Sequence, residues 1–280
     1  MDLLKIDLHM HTTCSDGEMT PEELFQLGLM QKLDFMSITD HDALGAYTAL
    51  ENHPSLQSTN LIVGMEFNTD GPNGELHILG YGIDPNHPSL KAYCEFRKNE
   101  RIRWSQKIVE KLRQLGYNIE WEHCMNRAKG GIIVRTHIAD ELVSIGAFET
   151  ADAAYNALLK KGAPAFVERA GKTSKEAIDI IHEAGGLAFL AHPGIYKFEF
   201  QFDEVLKEGI DGIEVFYALH SKETTEHWYN IAKAHHLYTS VGSDFHGFTS
   251  KNPQMIGSVP FIKEELMQWI PQVVKKKVLQ

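Results

Sequence analysis

The sequence predicts an α/β fold: a parallel β/α barrel of seven strands that carries a small helical insertion. Three observations lead there. Short apolar strands alternate with helical stretches over most of the 280 residues, the pattern of repeated parallel βα units. The alternation stops between about residues 95 and 165, where helical segments follow one another with no strand between them. Histidines and carboxylates recur just after apolar strands, and residues there converge on the active end of a barrel.

The first strand is expected over residues 3–8. A helix follows over 21–32, with Thr20 as N-cap, Pro21 at the first helical position and Glu23 completing a capping box. Residues 35–39 read as the second strand and 43–51 as a helix. Residues 61–67 and 76–81 give the third and fourth strands. A long charged helix then covers 88–115, closed by Gly116. Two further helices are expected near 136–144 and 151–160. A capping box at Thr173 and Glu176 opens a helix that ends near Gly185. Strands at 187–191, 212–216 and 239–243 alternate with a helix at 222–234, and the tail near 263–270 is helical. Seven strands are one fewer than a standard barrel holds. The expected division is a barrel of residues 1–94 and 166–280, interrupted by a helical insertion of residues 95–165.

Composition narrows the classes. A hydrophobic fraction of 43% with 23% charged residues suits a folded globular chain. No apolar run approaches the roughly 20 residues that span a bilayer, so no membrane association is expected. The N-terminus MDLLKIDLHMH has no basic region followed by an apolar core, and a cytoplasmic location follows as the expectation. Cys14, Cys94 and Cys124 are odd in number and widely spaced, which argues for reduced thiols. The formal net charge of −11 argues against a general nucleic-acid coat. Two or three divalent ions would offset about half of that charge in one place. No stable protein partner is implied.

The chemistry lies in the 15 histidines and the carboxylates among them. His9 and His11 end the first strand as HxH, a spacing that points both rings to one side. Asp16 lies on the loop that leaves this strand. Asp40 and His41 follow the second strand, Glu66 ends the third and His77 lies in the fourth. His192 follows the strand LAFLA, and Asp244 and His246 follow TSVGS. Any one of these could be a turn former or a solvated strand end. Nine after successive strands make a metal centre the better account. Asp40 is read apart from them, as a cap of the next helix or as a residue that supports the ligands. Imidazole and carboxylate ligands without thiolate suit Mn, Fe or Zn. Their number suits two or three divalent metal ions, with Glu66 as the natural bridge.

The segments LHMHTTCSDG, ITDHDALGAY, GMEF, ELHILGY, AHPG and GSDFHG resemble, in order, the motifs of the PHP (polymerase and histidinol phosphatase) family. Thr12 stands where the first motif often has Ser. The resemblance implies a distorted seven-stranded β/α barrel and a trinuclear metal centre. It carries ligand roles onto His9, His11, Asp16, His41, Glu66, His77, His192, Asp244 and His246. The opening SDG with TPEEL, the DHDALGAY segment and VRTHIA in the insertion are similar to one subgroup. That subgroup removes phosphate from nucleoside 3′,5′-bisphosphates, and some members trim short 5′-phosphorylated oligonucleotides. The implied reaction is attack of a metal-bound hydroxide on phosphorus.

A second phosphate needs donors of its own. Arg135 and His137 of VRTHIA are the leading candidates, since an Arg fork binds phosphate bidentately. Lys172 and His220 are further candidates. Arg97, Arg101 and Arg103, interleaved with Glu95 and Glu100, are expected on a solvated helical face. The main rival is a histidinol-phosphate phosphatase. A zinc amidohydrolase would need a bridging modified lysine after a strand, and none is suitably placed. A regulatory protein that keeps metals without turnover is the remaining alternative.

Overall fold

The structure, a computed structural model, describes residues 4–71, 74–128, 133–169, 171–198, 201–250 and 253–275. The chain divides into two compact units, Met1–Cys94 with Gly171–Gln280, and Glu95–Ala170.

The elements run, in order, β1 (Ile6–Asp7), α1 (Pro21–Met30), β2 (Phe35–Ile38), α2 (Gly45–Leu50), β3 (Leu61–Gly71), β4 (Gly74–Tyr81) and α3 (Pro88–Gln114). Next come α4 (Trp121–Arg127), α5 (Arg135–Ser144) and α6 (Ala151–Ala154), then β5 (Lys172–Thr173), α7 (Ser174–Glu183), β6 (Leu187–Leu190) and α8 (Phe202–Lys207). The chain closes with β7 (Gly212–Tyr217), α9 (Lys222–Ala234), β8 (Tyr238–Gly242), α10 (Lys263–Leu266) and α11 (Ile270–Lys275).

Local signals set the helix starts. Thr20 accepts from the Glu23 amide while the Glu23 carboxylate accepts from the Thr20 amide, a complete capping box. Thr173 and Glu176 repeat the device on α7. Gly116 and Gly185 sit at φ of 92° and 76°, the left-handed conformation that ends helices at little cost to glycine.

The strands form one sheet in the order β1-β2-β3-β4-β6-β7-β8, with β5 on β3. Backbone hydrogen bonds from Leu8 N to Val241 O (3.0 Å), Asp244 N to His9 O (2.8 Å) and His11 N to Phe245 O (2.9 Å) join its first and last strands. The result is a nearly closed, mostly parallel barrel. One expectation is corrected here: β4 runs antiparallel to both neighbours, pairing Glu66 with Leu79 on β3 and Leu79 with Phe189 on β6. The link between β3 and β4 is too short for the crossover a parallel pair needs. The eighth strand, β5, is two residues long and carries no apolar run to reveal it.

Two apolar clusters pack the barrel unit. One gathers Leu8, Met65, Phe67, Ile78 and Phe189, with Trp269 stacked on Tyr81 and bonded through its indole N–H to Thr239 O. The other sets α1 against β2 through Leu24, Phe25, Met36 and Ile38. The second unit has its own core, built from Trp104, Ile108, Leu112, Ile138, Leu142 and Leu159. Three readings are corrected in it. α4 was not anticipated. α5 begins at Arg135, one residue before the expected start, with Val134 flanking it. Arg97 and Arg101 are buried, at 2% and 4% exposure, not on a solvated face. The three cysteines are free thiols. Among the described residues no helix is long and apolar enough to cross a membrane.

Candidate metal centre

The strand ends deliver the candidate ligands to one place. His9 and His11, beyond β1, present their Nε2 atoms 3.1 Å apart. Both lie 3.2 Å from Glu66 Oε2, and Asp244 Oδ1 stands 3.3 and 3.2 Å from them. His41 Nδ1 approaches the same Glu66 oxygen at 3.1 Å. The other Glu66 oxygen meets His77 Nδ1 at 2.7 Å and His192 Nε2 at 3.0 Å. Asp16 Oδ1 lies 3.3 Å from His246 Nε2, and its Oδ2 lies 3.8 Å from His41 Nε2. All nine residues singled out from the sequence therefore meet around Glu66 and Asp16. Eight of them, all but His192, form three overlapping groups with metal-ligand spacing: His11, Asp16, His41 and His246; His9, His11, Glu66 and Asp244; and His41, Glu66 and His77.

The donor set fits divalent cations. Five imidazoles crowd one buried carboxylate, and lone-pair atoms face one another with few protons to share. The buried Asp16 Oδ1 and His41 Nδ1 make no hydrogen bond; a cation would satisfy both. Charge in the ion-free protein reflects the same crowding. Burial opposes a charge on His11, but its hydrogen bonds to Asp244 and Glu66 outweigh that and lift it to about 10. Burial dominates at His41 and takes it down to about 3. At Glu66 burial works against ionisation, and the surrounding imidazoles hold the carboxyl well below its usual range.

Backbone conformation helps to aim these groups. His192 and Asp244 take φ of 29° and 53°, uncommon for residues with a side chain and concentrated at functional sites. A register irregularity between Glu214 and Phe216 on β7 adds local twist there.

Supporting residues complete the site, and several were not legible as such. Glu214 is fully buried; its Oε1 accepts from His9 Nδ1 at 2.9 Å and its Oε2 from the His192 amide at 2.8 Å. Tyr217 donates its hydroxyl to Asp244 Oδ2 at 2.8 Å. Asp7 accepts from the amides of His9, Ser243 and Gly257. The signal for Glu214 and Asp7 was a single acid inside an apolar strand, GIEVF and KIDLH, since such acids are buried only with partners. Asp40 does not cap α2, whose flanking residue is Leu44. It accepts from Thr12 N, Thr12 Oγ1 and Ser15 Oγ at 2.7, 2.6 and 2.5 Å and so pins the loop between His11 and Asp16.

The proposed phosphate donors are placed differently. Lys172 Nζ is bonded to Glu176 Oε1 at 2.7 Å. His220 has both ring nitrogens engaged within the barrel unit, Nδ1 with Val215 O at 3.0 Å and Nε2 with Gly194 N at 3.1 Å. Arg135 and His137 belong to the second unit. The Arg135 guanidinium lies over the rings of Trp104 and Phe166, at 5.1 and 4.9 Å, and bonds Val167 O. His137 Nδ1 accepts from the Val134 amide at the start of α5.

A β/α barrel whose strand ends gather histidines and carboxylates in this way defines the class, a metal-centre hydrolase. Comparison with known proteins gives the family. The PHP domain profile matches residues 7–256, and the chain belongs to that family. It is similar to 5′-3′ exoribonuclease Rnm of Salmonella typhimurium, 34% identical over 247 residues that cover 86% of this chain and 84% of the relative. It is also similar to the 3′,5′-nucleoside bisphosphate phosphatase of Chromobacterium violaceum, 30% identical over 257 residues, 87% of this chain and 88% of the relative. Among solved structures, a metal-dependent phosphoesterase candidate from Bifidobacterium adolescentis superposes with a TM-score of 0.82 at 25% identity, covering 96% of each chain. An amidohydrolase from Chromobacterium violaceum gives 0.80 at 27% identity, again over 96% of each. The chain is thus a PHP-domain phosphoesterase, a hydrolase whose barrel holds histidine and carboxylate clusters able to bind metal ions.

Proposed function

We propose that this phosphoesterase removes the 3′-phosphate of nucleoside 3′,5′-bisphosphates and also acts on short 5′-phosphorylated oligonucleotides. The observation that carries the reading is the pair of Glu66 oxygens, one facing His9, His11 and His41, the other His77 and His192. A carboxylate so surrounded is suited to bridge ions, with Asp16, Asp244 and His246 completing the set. The names of the two curated relatives supply the substrate class.

Divalent ions bound there would lower the pKa of water and neutralise phosphate charge in the transition state. The chain's own part is positional. Glu214 fixes the ring of His9, Tyr217 holds Asp244, and Asp40 fixes the loop that carries Asp16. Arg135 and His137 are assigned to the second phosphate.

The test is phosphate release by the Mn-loaded protein from adenosine 3′,5′-bisphosphate and from histidinol phosphate, with and without chelator. Release from the bisphosphate that chelator abolishes is the expected result. Release from histidinol phosphate alone would overturn the substrate assignment, and release insensitive to both chelator and His9→Ala would overturn the centre.

A further inference from the structure

Beside the candidate centre lies a cavity of about 370 Å³, formed by β7, the start of α9 and the segment after β8. That volume lies in the range of small-molecule sites, about 300–1,000 Å³. Phe216, Tyr217, Val259 and Pro260 give it apolar walls, and Gln254 and Ser258 add polar groups.

Tyr217 belongs to both places. Its hydroxyl holds Asp244 Oδ2, and its ring centroid lies 5.3 Å from that of His192. The same residue lines the cavity, as does His220, whose ring stands 5.1 Å from Tyr217. The hydrogen bonds of His220 fix its chemistry. Nε2 accepts from the Gly194 amide, so Nδ1 carries the proton that goes to Val215 O. Both nitrogens are spent, and the ring offers the cavity only its carbon edge and π face. The cavity is thus one aromatic ring away from two candidate ligands, and its walls are aromatic and aliphatic. Gln254, Ser258 and Thr225 line it with uncharged groups that both donate and accept, and its two charged residues, Lys222 and Glu226, are largely exposed and face each other.

We propose that this cavity is the subsite for the nucleobase of the substrate, an inference that rests on the nucleotide reading above. A flat heteroaromatic ring stacks on π faces whatever its identity. The Gln254 amide can pair with a base edge, which presents donors and acceptors side by side. Among the described residues a phosphate or a carboxylate would find no fixed cation there: Lys222, which lines the cavity, is 89% exposed and faces Glu226 at 3.8 Å. A stacked base contributes roughly 5- to 150-fold in binding.

The test fills the cavity from two sides with Thr225→Phe on α9 and, separately, Ser258→Phe. Saturation-transfer NMR with adenosine is recorded on the zinc-loaded full chain, because zinc avoids paramagnetic broadening. KM and kcat are measured for adenosine 3′,5′-bisphosphate and for its base-free counterpart, 1-O-methylribose 3,5-bisphosphate. The parent should transfer saturation to the adenine protons and show a KM for the nucleotide about tenfold or more below that for the base-free compound. Each variant should lose the transfer and raise the nucleotide KM to the base-free value, with the kinetics of the base-free compound unmoved. Absence of transfer in the parent, or transfer and KM unchanged in both variants, overturns the subsite. Cavity-dependent transfer without hydrolysis of either bisphosphate would leave the subsite standing and sink the nucleotide-hydrolysis reading. Equal hydrolysis of the two compounds would do the reverse.

Discussion

Glu214→Gln isolates the orienting role of a residue that touches none of the proposed chemistry. The two groups on the Glu214 carboxylate are the His9 ring through Nδ1, 2.9 Å away, and the backbone amide of His192, 2.8 Å away. The amide is always a donor. His9 must also be a donor at Nδ1 if its Nε2 lone pair is to face the candidate centre. A carboxylate accepts from both, whereas a glutamine has one acceptor and one donor end. If its oxygen turns to His192, its NH₂ faces His9 and drives the ring proton to Nε2, the tautomer that cannot ligate. If its oxygen turns to His9, two N–H groups confront each other in a fully buried place. Either arrangement costs about 1–3 kcal/mol, which is roughly 5- to 150-fold in ion affinity and agrees with the 10- to 100-fold seen when such outer partners are removed. Competition with a fluorescent chelator reads the affinity, and ¹⁵N NMR of the imidazoles reads the tautomer of His9. Parent-like affinity with an unchanged His9 tautomer would refute the argument. Glu214→Asp should not rescue, because the shorter side chain cannot reach both partners at once.

Other perturbations follow from the same geometry. Gly242→Ala would set a methyl group against His9 Cβ and Glu214 Oε1, so the variant should lose ion affinity by at least as much as Glu214→Gln, measured by the same competition. Asp7→Ala strips the acceptor from the amides of His9, Ser243 and Gly257. Leaving such buried donors bare should cost about 2–5 kcal/mol in denaturant unfolding with chelator present, and a loss under 1 kcal/mol would contradict the role assigned to it. His11, lifted to about 10 in the ion-free protein, is protonated at neutral pH, and an ion needs the neutral ring. Ion affinity should therefore rise with pH, about tenfold per unit for each proton displaced, and fall toward acid. Calorimetry in buffers of different ionisation enthalpy counts the released protons, and a count of zero would refute the assignment. Cys124 is buried and its thiol is pushed up to about 12, first by that burial. Iodoacetamide at pH 8 should leave it unmodified in the native protein and label it only on unfolding.

Helix starts were legible because their causes are local. Thr20 with Glu23, and Thr173 with Glu176, each close a hydrogen-bond pair within four residues. The direction of β4 has a different origin. An apolar stretch with period two reads the same in either direction, and only its distance from β3 distinguishes the cases. Eight residues separate Phe67 from Leu76, fewer than the dozen or so that a parallel crossover needs. The stretch GPNG between them is a turn signal. The antiparallel pair was therefore available from spacing, though not from periodicity.

The nine candidate ligands and their supports differ in the same way. A ligand declares itself by type and by its place at a strand end, and nine such coincidences in order leave little room for chance. A support declares itself only through burial. Glu214 could have been an exposed acid on an edge strand; it becomes an orienting group because β7 lies between β6 and β8 and its side chain reaches His9. His220 shows the converse. Its place after β7 matched that of a phosphate donor, yet Val215 O and the Gly194 amide take both nitrogens. Sequence position brings a side chain to the mouth of a barrel, but the hydrogen bonds made on folding decide which lone pairs and protons remain for a substrate.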